Sequence, residues 1–242
     1  MGNTIRNGLT VVVCLLATMA LSQGGRSLGR PAKSIGKRVM AIGDSITLGA
    51  GSQGGYRILL ESRLMAEGYK FEFVGSSTEN SKGLVSPNHE GHGGWSTTDI
   101  TSGKPGQGQK GKMLDWLTKH KPDTVLLMTG TNDSVWVTKQ EWTAKYQKML
   151  DVVFKFNPKM KVVLAAIPRS DSTVTGKDWG EAMCFDVVKS VVANRRSRGF
   201  MVTMADCYTS FNVETDLSDA YHPNQNGYRK IANAFYSALV RS

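Results

Sequence analysis

From residue 37 onward, short apolar runs alternate with longer amphipathic ones, and this alternation constrains the fold more than any other feature of the sequence. The short runs are apolar or β-branched and end in polar residues or glycine, which is typical of buried strands. The longer runs repeat apolar residues at spacings of three and four, which is typical of helices that cover a core. The predicted strands are residues 38–42, 71–74, 124–128, 161–165 and 200–205, and the predicted helices are residues 56–67, 113–120, 138–156, 178–196 and 224–240.

Alternating strands and helices predict a mostly parallel sheet with helices on both faces. We therefore expect residues 37–242 to form a single three-layer α/β/α domain around a five-stranded parallel sheet. In a flavodoxin-like strand order of 2-1-3-4-5, the first and third strands are neighbours. Open α/β sheets of this kind bind their ligands beyond the carboxyl ends of such strands. The long irregular segments, residues 75–111 and 167–177, are where a site would be elaborated.

The first 24 residues have the pattern of a secretory signal peptide. Arg6 precedes an uncharged, mostly apolar run over residues 9–21, and the small, polar sequence SQGG follows this run. The run is shorter than the roughly 20 apolar residues that a membrane-spanning helix needs, although an uncleaved membrane anchor stays open as the alternative. We expect residues 25–36 to form a flexible N-terminal segment. The mature protein is accordingly predicted to be secreted and extracellular, without stable membrane insertion.

Composition excludes few classes of protein. The chain of 242 residues is 40% hydrophobic and 21% charged, as in ordinary globular proteins, and has a formal net charge of +10. Its densest basic region, residues 103–112, has no interleaved aromatic residues and matches no nucleic-acid-binding motif. We therefore expect no nucleic-acid partner, and we expect a monomer.

In a secreted chain, Cys184 and Cys207 either form a disulfide or are buried free thiols.

Ser45 lies directly after the first predicted strand, within the sequence MAIGDSITLGAGS. This position places the serine beyond the carboxyl end of the strand, where a ligand is expected. The competing interpretation is that Asp44 or Ser45 only caps a following helix, as both residue types commonly do. Three further sequences favour a site.

The first is DAYHPNQNGY, in which Asp219 and His222 are three residues apart. A helical turn or a tight loop would let the carboxylate bond the imidazole. A serine hydroxyl needs a base to take its proton, and a carboxylate fixes the tautomer of that base and stabilises its charged form. Ser45, His222 and Asp219 have the residue types for these parts. A surface capping turn is the alternative, and Glu214 and Asp216 are rival carboxylates.

The second is VLLMTGTNDS, in which the third predicted strand runs into Asn132. If this strand is the neighbour of the first, Asn132 and Ser45 emerge side by side. An uncharged amide there can donate a hydrogen bond to the oxyanion of a tetrahedral intermediate. The alternative is an ordinary type I turn, which asparagine and aspartate both favour.

The third is HEGHGGWS, which places glycines immediately before Trp95. Glycine lets the backbone approach a ligand closely, so an amide of this segment can also point at an oxyanion. His89, Glu90 and His92 suggest a metal site as the alternative, but their spacing differs from the H-E-x-x-H zinc helix. We expect neither a metal nor a cofactor.

Together these four sequences resemble the four conserved blocks of the SGNH, or GDSL-type, hydrolases, over residues 38 to about 240. The resemblance implies the flavodoxin-like order 2-1-3-4-5 and assigns a role to each candidate. Ser45 is the nucleophile, His222 the base and Asp219 its partner. The oxyanion hole is formed by the Ser45 amide, the Gly94 amide and the Asn132 side chain.

Within the superfamily, four sequences are most similar to carbohydrate esterase family 3, the secreted acetylxylan esterases. They are GGYR at residues 54–57, FVGS at 73–76, HEGHGGW at 89–95 and LLMTGTND at 126–133. This similarity implies a cofactor-free serine esterase that removes acetyl groups from plant cell-wall polysaccharide such as xylan, or from a small ester.

Tyr56 and Trp95 are candidates for a wall on which a sugar ring packs, and ordinary core or rim aromatics are the alternative. Two other functions stay open at this point. The same chemistry on lipid or thioester acyl chains, as in lipases, lysophospholipases and thioesterases, would require a long apolar groove near Ser45. A noncatalytic wall-binding relative would keep the fold without the reaction.

Overall fold

A parallel sheet forms the centre of the molecule. The computed structural model describes residues 1–2, 34–133, 137–175 and 178–241, and within them the sheet has the strand order β2-β1-β4-β5-β6, with β3 paired to β1. All of its pairings are parallel. The strands are β1 (Arg38–Gly43), β2 (Glu72–Phe73), β3 (Glu90–Gly91), β4 (Thr124–Met128), β5 (Lys161–Ala166) and β6 (Val202–Asp206).

The prediction of a single α/β domain with a parallel sheet is confirmed. Without β3, the observed order is the predicted 2-1-3-4-5. In the described residues the sheet also has a short strand beyond the five predicted, because β3 pairs with the carboxyl end of β1, where Gly91 lies opposite Gly43. Gly91 packs closely on the short helix that follows β1, so that a Cβ at this position would lie 2.4 Å from the amide nitrogen of Leu48. Two residues are too few to show a strand periodicity, so this contact leaves no pattern in the sequence.

The five predicted helices are present, each with boundaries within one residue of the prediction at either end. Within the described residues there are four further helices of four to six residues, which are too short to display an apolar repeat. The helices are α1 (Ser45–Leu48), α2 (Gly55–Ala66), α3 (Thr97–Ser102), α4 (Met113–His120), α5 (Lys139–Phe156), α6 (Ser172–Thr175), α7 (Asp178–Ser197), α8 (Val213–Asp216) and α9 (Gln225–Val240).

Two groups of helices cover the sheet. Helices α2 and α9 pack against each other, and their contact includes the stacked rings of Tyr56 and Phe235, whose centroids are 4.7 Å apart. Helix α5 packs against α4 and α7. Every residue of the central strand β4 is buried. None of the helices in the described part of the chain is long and apolar enough to span a bilayer.

The structure describes Cys184 and Cys207 as buried free thiols, so the disulfide alternative is wrong. Cys184 Sγ instead lies 3.2 Å from the hydroxyl of Tyr146. Burial raises the pKa of the Cys184 thiol to about 12, which keeps this thiol protonated and unreactive at neutral pH.

The N-terminal predictions fall largely outside the described residues. Apart from residues 1–2, the predicted signal peptide lies there, and so does the predicted N-terminal segment as far as residue 33. The last residues of that segment pack on the domain. Ile35 is buried, and its carbonyl oxygen accepts a hydrogen bond from the Thr124 hydroxyl. The packed chain therefore begins slightly before residue 37.

Candidate active site

Ser45 is the first residue of α1 and lies two positions after Gly43, where β1 ends. The preceding residue, Asp44, is buried, and its side chain caps the helix by accepting a hydrogen bond from the Ile46 N–H at 3.0 Å. Gly49 ends α1 after a single turn in a left-handed conformation with φ of 98°. Since Asp44 does the capping, the partly exposed hydroxyl of Ser45 is available for another partner.

That partner is His222. Its Nε2 lies 3.0 Å from Ser45 Oγ, and its Nδ1 lies 2.8 Å from the Asp219 carboxylate. A carboxylate only accepts hydrogen bonds, so Nδ1 carries a proton and Nε2 is left to accept the serine proton. The structure thus brings together the three residues that the resemblance assigned to nucleophile, base and carboxylate.

A closed loop before α9 places Asp219 and His222. Ser218 donates its amide and its hydroxyl to the His222 carbonyl oxygen, and Leu217 bridges to Pro223. Asn224 caps α9, and its side-chain amide also donates to the carbonyl oxygens of Thr215 and Leu217. These bonds tie the loop to the first turn of the helix.

The rival carboxylates lie elsewhere. Asp216 is buried, and its carboxylate accepts from the Asn212 N–H at 2.7 Å and from Lys230 Nζ at 2.6 Å. Glu214 is an exposed residue of α8. Asp219 is thus the carboxylate that His222 contacts.

Asp219 stays ionised because its loop supplies hydrogen bonds. Partial burial by itself raises the pKa of this carboxyl group. The hydrogen bonds from the His222 ring and from the N–H groups of Tyr221 and His222 outweigh that effect, and the pKa of Asp219 is lowered. A charged Asp219 holds Nδ1–H and would stabilise an imidazolium.

Asn132 follows β4, the neighbour of β1 in the sheet, with Met128 opposite Gly43. It lies in a turn closed by the bond from the Asp133 N–H to the Gly130 carbonyl oxygen. Its exposed side chain donates from Nδ2 to the Trp95 carbonyl oxygen at 3.1 Å. One Nδ2 hydrogen is thereby used to orient the amide, and the second has no acceptor among the residues that the structure describes.

Asp133 anchors this turn. Its buried carboxylate accepts from the Thr97 N–H at 3.0 Å, from the Thr97 hydroxyl at 2.8 Å and from Lys145 Nζ at 2.5 Å. Because Thr97 begins α3, the carboxylate joins the Asn132 turn to the helix that follows Trp95.

Gly93 and Gly94 occupy the centre of a tight turn from His92 to Trp95, closed by the Trp95 N–H bonding the His92 carbonyl oxygen. Gly94 has φ of +72°, a left-handed conformation that glycine adopts readily. A Cβ at Gly94 would meet only Lys104 Nζ within 4 Å, at 3.9 Å. The turn therefore faces open space in which a substrate has room.

The histidines before this turn have protein partners. His89 Nδ1 accepts the Gly91 N–H, so its Nε2 carries the proton and donates to the Glu79 carbonyl oxygen at 2.8 Å. His92 Nε2 lies 3.0 Å from the Glu90 carboxylate. Across residues 1–2, 34–133, 137–175 and 178–241, no group of three or more histidine, cysteine or acidic side chains could hold a metal ion.

The prediction that Tyr56 and Trp95 line a sugar-binding wall was wrong. Tyr56 is 0% exposed and Trp95 is 1% exposed, so neither ring offers a face to a ligand. Tyr56 stacks on Phe235, and Trp95 stacks on His92. The exposed aromatic residue beside the site is Tyr221, whose ring centroid lies 6.5 Å from that of His222. The sequence could have pointed to Tyr221 through its position next to His222.

Arg57, a buried residue that sequence reasoning did not single out, holds the end of α1. Its guanidinium donates to the carbonyl oxygens of Thr47 and Leu48 and to the hydroxyl of Ser81. Burial lowers the pKa of Arg57 to about 10, so the group remains charged at neutral pH. It ties the short helix that begins with Ser45 to residues 80–81.

A parallel sheet with a serine, a histidine and an aspartate in contact at its carboxyl edge is the arrangement of the SGNH-type hydrolases. The chain belongs to the GDSL-like Lipase/Acylhydrolase family, whose model matches residues 41–230.

Three known proteins illustrate the similarity. A multidomain esterase of Ruminococcus flavefaciens is 30% identical over 248 residues, which cover 95% of this chain and 32% of that protein. This chain thus spans about a third of the length of that relative. The structure of a Clostridium thermocellum family 3 carbohydrate esterase is 26% identical, with a TM-score of 0.70 over 86% of this chain and 96% of that one. That of a family 3 carbohydrate esterase from Talaromyces cellulolyticus is 26% identical, with a TM-score of 0.68 over 85% and 97%.

Proposed function

We propose that this chain is a serine esterase that removes acetyl groups from cell-wall polysaccharide such as xylan through an acyl-enzyme intermediate. The observation that carries the proposal is the line of contacts from Ser45 Oγ to His222 Nε2 at 3.0 Å and from His222 Nδ1 to Asp219 at 2.8 Å. All of these groups come from one chain, so a monomer is expected to be active.

In the first half of the reaction, Ser45 Oγ attacks the ester carbonyl carbon while His222 Nε2 takes the hydroxyl proton. Asp219 stabilises the imidazolium that forms. The carbonyl oxygen becomes an oxyanion, to which the Ser45 N–H, the Gly94 N–H and the Asn132 amide donate hydrogen bonds. The Ser45 amide lies in the first turn of α1, where an N–H has no intrahelical acceptor.

Collapse of this intermediate breaks the bond to the sugar oxygen, and the imidazolium returns its proton to that oxygen as the alcohol leaves. In the second half, His222 takes a proton from water, the hydroxide attacks the acyl carbon, and the second intermediate collapses with the proton returned to Ser45. Acetate leaves and the free enzyme is restored.

A cavity beside the Gly93–Gly94 turn carries polar groups, although neither Ser45 nor His222 lines it. This cavity of about 430 Å³ adjoins Gly93, and its lining includes the hydroxyls of Ser76 and Ser77 and the charged groups of Lys110, Asp115 and Lys119. These groups suit sugar hydroxyls, whereas an acyl chain would require an apolar lining. The names of the Clostridium thermocellum and Talaromyces cellulolyticus relatives point to carbohydrate esters as well.

The test compares turnover on acetylated xylan, a short-chain lipid ester and a long-chain acyl thioester. We expect kcat/KM to be highest for acetylated xylan and a Ser45→Ala variant to lose activity on all three. Preference for the thioester would contradict the substrate assignment while leaving the mechanism in place. Full activity of Ser45→Ala would contradict the mechanism.

We also propose that the chain is exported, on the basis of the apolar run over residues 9–21 after Arg6. N-terminal sequencing of protein recovered from the culture medium would test export. A first residue near position 25 is expected, and full-length protein retained in cells would contradict export.

A further inference from the structure

The sequence of the turn from His92 to Trp95 does not by itself fix the direction of the Gly94 N–H. Gly94 has φ of +72° at the third position of the turn, the conformation of a type II turn. Type I and type II turns differ by a reversal of the central peptide, here the peptide between Gly93 and Gly94. Glycine at both central positions makes both types accessible. Whatever holds the turn therefore decides where the Gly94 N–H points.

The side chains at the two ends of this turn stack on each other. The ring centroids of His92 and Trp95 are 4.5 Å apart, with an interplanar angle of 25°. Trp116 of α4 also stacks on His92, at 4.8 Å and 15°, and the two indole centroids are 6.1 Å apart. His92 thus packs against both indole rings, with 8% of its surface exposed.

A buried carboxylate fixes the edge of the same ring. Glu90 is fully buried, and one of its oxygens lies 3.0 Å from His92 Nε2, while the other accepts the Ser76 N–H at 2.5 Å. The backbone N–H of His92 donates to the Gly43 carbonyl oxygen at 2.9 Å, two residues before Ser45. His92 is therefore held by its stacking contacts, its ring edge and its backbone.

We propose that His92 is a positioning residue, whose stacking across the turn keeps the Gly94 N–H directed at the oxyanion. The stack holds Trp95 at one end of the turn against the His92 ring, and the backbone bond of His92 to Gly43 holds the other end beside β1, so the position of the Gly94 N–H relative to Ser45 depends on His92. The Trp95 carbonyl oxygen also accepts from Asn132, so the stack supports the second donor as well. This inference rests on the proposed function, since it requires an oxyanion at the site.

Two substitutions separate the ring stack from the bond to Glu90. In His92→Gln the side-chain amide can still reach Glu90, but the ring is lost. In His92→Phe a ring that can stack on Trp95 and Trp116 remains, but the donor to Glu90 is lost. Stacking predicts that the phenylalanine variant keeps turnover and the glutamine variant does not.

The experiment measures kcat and KM for p-nitrophenyl acetate and for its thiono analogue, in which sulfur replaces the carbonyl oxygen. Donors placed for oxygen serve sulfur poorly, so the ratio of the two rates reports on the oxyanion hole. For His92→Gln we expect kcat on the oxygen ester to fall by about 10- to 100-fold with KM nearly unchanged, less than the loss of a whole donor. The oxygen-to-sulfur ratio should fall by a similar factor, and His92→Phe should keep both quantities within about threefold of wild type.

His89→Gln is the matched control. His89 is buried in the same segment, but its ring bonds the Glu79 carbonyl oxygen and the Gly91 N–H and not the turn from His92 to Trp95. Its oxygen-to-sulfur ratio should be that of wild type even if its thermal stability falls. If His92→Gln does not fold, Trp116→Leu, which removes one of the two indoles that stack on His92, takes its place with the same readouts.

An unchanged oxygen-to-sulfur ratio in His92→Gln would overturn the inference, as would equal losses in the glutamine and phenylalanine variants. A Ser45→Ala variant measured in parallel separates this failure from failure of the proposed function. Loss of activity in Ser45→Ala with an unchanged ratio in His92→Gln overturns only the role of His92. Activity that survives in Ser45→Ala overturns the mechanism on which that role depends.

Discussion

Nε2 of His222 lies 3.0 Å from Oγ of Ser45, although the two residues are 177 positions apart in the chain. Ser45 follows β1, and His222 lies on the loop that leads into α9. Helix α9 packs on α2, and the Tyr228 hydroxyl donates to the Ala50 carbonyl oxygen just after α1. The contact between serine and histidine therefore depends on the docking of the last helix, and anything that shifts α9 should separate the two groups.

Asp219→Asn tests the carboxylate. The amide can occupy the same volume, but it can present an N–H to His222 Nδ1, which favours the wrong tautomer. We expect kcat on p-nitrophenyl acetate to fall by about 10²- to 10⁴-fold, with little change in KM. Asp216→Asn is the matched control, because Asp216 bonds Lys230 and not His222. A larger loss of kcat in the control than in Asp219→Asn would mean that the carboxylate has been misassigned.

Asn132→Ala tests the side-chain donor. Removal of one oxyanion donor lowers kcat by about 10²- to 10³-fold in comparable sites, and a similar loss is expected here with KM almost unchanged. Asn132→Asp should lower kcat further, because a carboxylate would repel the oxyanion. Steady-state kinetics of both variants decide the point, and an alanine variant with wild-type kcat would exclude Asn132 from the oxyanion hole.

Lys145→Met tests the ion pair beneath the Asn132 turn. The Asp133 side chain is fully buried, so loss of Lys145 leaves a buried carboxylate whose remaining donors, among the described residues, are the N–H and hydroxyl of Thr97. We expect the free energy of unfolding to fall by about 3 kcal/mol in urea titrations. Lys148→Met, at an exposed position of the same helix, should change stability little. Equal stabilities of the two variants would show that the pair contributes nothing measurable.

Asp44→Asn tests a buried carboxyl group next to the nucleophile. Burial raises the pKa of Asp44 from 3.8 to about 6, although hydrogen bonds from Ile46 and Thr131 act in the opposite direction. The folded state therefore binds this proton more tightly than the unfolded state. The stabilising contribution is fully present below pH 3.8 and is lost as the pH rises through about 6.

Across that interval the free energy of unfolding of the wild type should fall by on the order of 3 kcal/mol relative to Asp44→Asn. Urea titrations of both proteins at several pH values measure the difference between their free energies of unfolding. Taking this difference removes the contribution of all other titrating groups. Parallel stability curves for the two proteins would show that Asp44 has an ordinary pKa in the folded state.

The sequence by itself determined the parallel α/β domain, its five principal strands and five long helices. Buried parallel strands must be continuously apolar, and covering helices must repeat their apolar residues every three or four positions, so both leave local patterns. The sequence also indicated the residues that now lie together, since Ser45, Asn132 and the segment with His222 each follow or flank such a pattern.

Only the tertiary structure decided the contacts between distant segments. It showed which carboxylate contacts His222, that Tyr56 and Trp95 are buried, that Cys184 and Cys207 are free thiols, and that β3 extends the sheet. These outcomes depend on distances and directions between side chains that packing sets, and residue type and spacing carry no record of them. An aromatic residue after a glycine reads the same whether its ring faces a substrate or, like Trp95, stacks on the nearby His92.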